Sequence, residues 1–131
     1  MVDALRAAHR RVRRGGIVID ARPDASRHPR MIAGGRVRGQ LLQSADADER
    51  DERADAAVER VVASGLFRRT GERGVVWHGA TFGDLAELDE YLDDSARYAR
   101  YDRGTRSALL PFRRGPIAMR RAIKFDVLQR L

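Results

Sequence analysis

The chain contains no cysteine, which excludes a disulfide framework and any thiolate-held metal centre. It has one tryptophan, and aromatic residues make up only 6% of the total, so flat surfaces on which bases could stack are few. No apolar run approaches the ~20 residues of a membrane-spanning helix, and the arginine-rich start is not followed by the apolar core and small-residue cleavage site of a secretion signal. The chain therefore reads as cytoplasmic, with no membrane partner. Lysine is nearly missing: of 26 basic residues 25 are arginine, Lys124 being the exception. That bias points to a GC-rich coding sequence more than to contacts with phosphates.

What is present fits one domain, 1–131, with 43% hydrophobic residues to supply a modest core. The net charge of +7 is unevenly spread: residues 1–43 carry 10 basic and 3 acidic groups, 44–96 carry 6 and 14, and 97–131 carry 10 and 2. Basic ends flank an acidic middle. Clustered arginines can displace counterions from a polyanion, so nucleic-acid binding is one reading. The arginines are scattered, however, and scattered charges govern association rather than fold.

The most informative segment is the first. Val2, Leu5, His9 and Val12 recur at helical spacing, with Arg6, Arg10, Arg13 and Arg14 on the outer face. Gly15 can take the left-handed conformation that closes a helix. Ile17-Val18-Ile19 follows as a short unbroken apolar run, which predicts a strand covered on both faces. The run Arg11-Val12-Arg13-Arg14-Gly15-Gly16, leading into that strand, resembles the middle of a class I S-adenosylmethionine-dependent methyltransferase, where a helix ending in arginine-valine-leucine-(arginine or lysine)-proline-glycine-glycine enters the fifth strand. Arg13 and Arg14 stand where the family has leucine and proline.

Downstream, Pro23, Ser26 and Pro29 mark a connection, and Gly34-Gly35 a tight turn before a weak strand, Arg36–Leu42, suited to an edge or a hairpin insertion. Gly34 and Gly39 have the spacing of a phosphate-binding loop, but no Lys-Ser or Lys-Thr follows. Residues 46–64 form an amphipathic helix with Ser44 or Asp46 as cap and Gly65 at its end, its acids read as a solvated start rather than a metal site. Residues 75–82 predict a strand, 84–93 a helix opened by a capping box on Thr81 and Asp84, and about 95–110 a further helix in which Tyr98 and Tyr101, like Tyr91 before it, pack at the core or rim. From Ile117 to Leu131 apolar and polar residues alternate, a long strand with a bulge or sheet edge expected near Arg121 and Gln129.

The resemblance implies an α/β fold: a partial Rossmann-like sheet with one central strand (Ile17–Ala21), a C-terminal antiparallel strand pair (the family's sixth and seventh strands) and an edge strand, flanked by helices. It covers only the family's C-terminal half. The glycine-rich turn and the ribose-binding acid that hold the cofactor have no counterpart here, so no cofactor, no metal and no catalytic residue is assigned. The strand exit Asp20-Ala21-Arg22-Pro23 corresponds to the family's substrate side, which makes Asp20 and Arg22 candidate ligand contacts; His78, beside Trp77, is the third. His9 and His28, far apart in the sequence, read as packed residues rather than as bases. The expected function is a non-catalytic half-domain, leaning away from an enzyme, that acts through self-association as a homodimer or through a protein partner completing its sheet. The alternatives are a basic nucleic-acid-binding module and a fragment of a longer methyltransferase.

Overall fold

Fourteen consecutive residues, Ile117–Arg130, form one strand, β7, and every other part of the sheet is built outward from it. The computed structural model describes residues 1–94 and 99–131. The preceding elements are α1 (Val2–Arg11), β1 (Ile17–Pro23), β2 (Arg30–Ala33), β3 (Arg36–Gln43), α2 (Ala45–Ala63), β4 (Phe67–Arg69), β5 (Gly74–Phe82), α3 (Leu85–Asp94), β6 (Ala99–Tyr101) and α4 (Thr105–Leu109), which runs on into a single 3-10 turn, Leu110–Phe112. None of the described helices is long and apolar enough to cross a membrane.

Along one edge of β7 lie β1, opposite Ile123–Gln129, and β2, opposite Ala118–Arg120. Along the other lie β5, opposite Ile117–Phe125, and β4, opposite Leu128–Arg130. Beyond β2 the sheet continues through β3 to β6.

All pairings among the described residues are antiparallel. The expected partial Rossmann-like sheet is therefore incorrect: it has no parallel ladder, and the strand at Ile17 is not central but lies at the margin, paired on one side only. The centre is β7, whose length and alternation supply both of its edges with partners. Arg36–Leu42 is half of a hairpin, closed by Gly34 and Gly35 at φ +58° and +73°; among the described residues its Arg36–Gly39 part has a strand, β2, on one side only, and β6 joins the other side from Leu41 to Gln43.

Near Arg121 β7 keeps its register with β5; what changes there is the neighbour on the other edge, where β1 ends opposite Ile123 and β2 begins opposite Arg120. The helix expected over 95–110 is replaced, where described, by β6 and the short α4; Tyr98 lies outside the described residues. Cap geometry also differs at α3: Asp84 Oδ1 accepts from the Glu87 amide at 2.8 Å, and the Glu87 carboxylate accepts from the Gly83 amide at 2.7 Å. The box thus begins at Asp84 and leaves Thr81 out. At α2, Ser44 is the cap, its Oγ accepting from the Ala47 amide at 3.3 Å.

Directly opposed residues of an antiparallel pair share a face, and the two apolar clusters occupy opposite faces of β7. Ile117 and Met119 join Met31, Phe82, Leu85, Leu88 and Leu109, under α3 and α4. Leu128, on the other face, joins Leu5, Val58, Val61 and Phe67, under α1 and α2. Half of each face is thereby left without a helix. Leu88→Ala and Leu128→Ala, both at fully buried positions, are each expected to lower the unfolding free energy by about 2–5 kcal/mol. Because the clusters share no member, the double variant should lose the sum of the two within about 0.5 kcal/mol in urea titration.

Candidate functional site

The face of β7 beneath α2 presents Ala122, Lys124, Asp126 and Leu128, all buried. Two of these four are charged, and strand pairing sets Asp20 directly opposite Asp126 and Arg22 opposite Lys124. Like charges facing each other across a ladder are unfavourable unless something bridges them. Arg22, 5% exposed, is the bridge. Its Nε ion-pairs with Asp20 at 2.8 Å, its Nη2 donates to Asp126 Oδ2 at 2.8 Å, and its Nη1 reaches α2, donating to the Ala54 carbonyl and pairing with Asp55, both at 3.1 Å.

Asp126 has no exposed surface and accepts from two further guanidiniums, Arg69 at 2.8 Å and Arg73 at 3.1 and 3.3 Å. Arg69 also bonds Glu59 at 2.7 Å, and Lys124 pairs with Asp55. The cluster thus sets Arg22, Arg69, Arg73 and Lys124 against Asp20, Asp55, Glu59 and Asp126, equal in number.

The electrostatics follow from these partners. Burial pushes the Asp126 carboxyl up, but hydrogen bonds from Arg73 and Arg69, with their charges, outweigh it and hold the group below the usual carboxylate range. At Asp20 burial dominates; Arg22 opposes it, the nearby Asp126 and Asp55 reinforce it, and the carboxyl lies above its usual range. Two aspartates facing each other across one ladder are therefore driven apart.

Beside the cluster opens a polar cleft of ≈ 560 Å³ whose walls include Asp24, Arg27, Asp48, Glu52, Arg73 and Lys124. Asp24 accepts from the Ser26 amide at 3.0 Å and from its hydroxyl at 2.6 Å, and also from Arg27. With Lys124 and Arg73 held by Asp55 and Asp126, the cleft's cations are turned toward their own acids.

Of the sequence-derived candidates, the structure brings Asp20 and Arg22 together and turns both inward. His78 is elsewhere, exposed on β5 opposite Arg121. His9 packs edge-on against Phe67 at 5.4 Å. Sequence reasoning missed Asp55, Glu59, Arg69, Arg73, Lys124 and Asp126. The signal was available in part: Asp51, Asp55 and Glu59 stand at i, i+4 and i+8, one stripe of α2 adjoining Ala54, Val58 and Val61.

The opposite face of the same strands is apolar and bare. Ile19 faces Val127, Ala21 faces Phe125, and Pro23 and Val76 flank Ile123. Ile17, Ile19 and Val76 are 50%, 67% and 51% exposed. The Phe125 ring lies across Gly74, where a Cβ would collide with it. No protein-family model matches the chain, and no curated protein or solved structure matches it either.

Asp126→Asn removes the full negative charge with which β7 faces three guanidiniums, and it should cost about 3–5 kcal/mol. A carboxyl depressed in the folded state contributes stability that is complete above its unfolded value and lost as pH falls through the folded one. The raised Asp20 acts in the opposite sense, its protonation favouring the fold as pH falls. In thermal melts between neutral pH and pH ~3, Asp126→Asn should therefore flatten the acid limb of the stability curve. An unchanged limb would show that Asp126 is not the group responsible.

Proposed function

We propose that this chain is a non-catalytic interaction module that pairs with a second copy of itself through the free edge of β1 and the bare face beside it. The observation that carries this reading is the exposure of Ile17, Ile19 and Val76 on one apolar surface whose marginal strand has no partner on its outer edge among the described residues. Unpaired strand edges present a ready ladder to another strand. Two copies of β1 set antiparallel about a twofold axis would satisfy both edges at once and place Ile17, Ile19 and Ala21 of each copy on one shared face. Asp20 and Arg22 stay on the other face under α2, so pairing desolvates no free charge. Covering the exposed halves of Ile17, Ile19 and Val76 would contribute roughly 3–4 kcal/mol. The non-catalytic reading is supported by the cleft's cations, Arg27, Arg73 and Lys124, each being paired with an acid of the chain itself.

Light scattering on the eluting protein at tens of micromolar should give twice the 14.7 kDa chain mass, and Ile19→Lys should return it to one chain without unfolding it. A wild-type monomer under those conditions contradicts the self-pairing. Calorimetric titration with S-adenosylmethionine should give no binding heat, and micromolar binding by this chain alone contradicts its non-catalytic assignment.

A further inference from the structure

The half of the sheet face that α2 leaves uncovered carries a different chemistry from the apolar one. Arg30 and Arg120 stand directly opposite each other on β2 and β7. Neither has a carboxylate partner among the described residues. The Arg30 guanidinium lies 4.1 Å over the ring of Trp77, which remains 37% exposed. The Arg120 side chain runs across Gly79, where a Cβ would displace its guanidinium.

From this pair the surface continues along the strands to Thr81 and Ala118, opposite each other in register. These two form the near wall of a groove of ≈ 570 Å³ that ends at Gly34, Phe112 and Arg114. From Ala122, opposite Trp77, to Ala118 is four residue steps of strand, ~13 Å at the usual rise. Ala122 and Ala118 are the small residues at its two ends, and the Arg120 side chain lies across Gly79 between them. Cations stand at both ends: Arg30 and Arg120 at one, Arg114 at the other, with Arg38 stacked 4.3 Å over the Phe112 ring. The acids paired under α2 and those of the polar cleft lie past Val75, Asp89 is paired with Arg106, and Asp102, which shares a neighbouring pocket with Arg30, accepts from the Gln40 side-chain amide at 2.8 Å.

We infer that this groove binds single-stranded nucleic acid, with Arg30, Arg120 and Arg114 meeting successive phosphates and the Arg30–Trp77 stack serving as a platform for a base. An extended strand with accessible base faces suits a narrow path that has a stacking surface at one end. A duplex keeps its bases stacked inside. The inference is independent of self-pairing through β1, which uses the opposite face.

Trp77 is the only tryptophan in the chain, so intrinsic fluorescence reports directly on the platform. Titration with an oligothymidylate of about ten nucleotides should quench it. Three neutralised phosphates predict that log K falls against log salt with a slope of about −2. With a labelled oligonucleotide followed by anisotropy, R30Q/R120Q should weaken binding about tenfold or more. R6Q/R10Q, the same charge change on the exposed face of α1, should stay within about twofold of wild type. The inference is overturned by the absence of quenching at low salt, by equal losses in the two double variants, by wild-type affinity in R30Q/R120Q, or by an acidic peptide binding as tightly as the oligonucleotide.

Discussion

A carboxylate with no exposed surface, Asp126, accepting from three arginines is the constraint from which the architecture follows. Burying ions costs several kcal/mol each, returned only when every partner is in place. The consequence is specificity more than net stability: α2 has one seating in which Asp55 and Glu59 meet Arg22, Lys124 and Arg69. The acidic middle of the chain and its basic ends, segregated in sequence, are brought together by that seating.

The same constraint explains the bare face. Because β7 turns Lys124 and Asp126 toward the helices, its alternate residues Ile123, Phe125 and Val127 must point the other way, and Ile17, Ile19 and Ala21 of β1 go with them by register. An apolar core under α2 would have left the polar residues facing outward. Here charge lies inside and hydrocarbon outside over half the sheet, while the ordinary arrangement holds at the start of β7, where Ile117 and Met119 meet α3 and α4.

Much of the element pattern was legible in the sequence. The long alternation after Ile117 identified β7, the glycines at 34 and 35 closed a hairpin, and Ser44 with Gly65 bounded α2. The sheet's order was not. Ile17-Val18-Ile19 reads as a doubly covered central strand because local pattern records apolarity, and it does not record whether a covering layer exists. Residues 99–110 carry helical spacing, yet β6 forms there because β3 offers it an edge. The site was half visible: Asp20 and Arg22 were singled out for lying at a strand exit, but the rest of the cluster comes from α2, β4, the turn before β5 and β7, segments whose proximity only the pairing around β7 creates. Arg22, expected to meet a ligand anion, meets the protein's own carboxylates.

The central claim is that the helix-free apolar face and outer edge of β1 are covered by another copy of the chain in solution. Amide hydrogen exchange resolved along the sequence, compared between dilute and concentrated protein, tests it most directly. Protection of Ile17–Ala21 should rise with concentration while that of Ile123–Phe125, already paired with β1 and β5 on both edges, stays constant. Exchange in β1 that is rapid and identical at both concentrations would contradict the account.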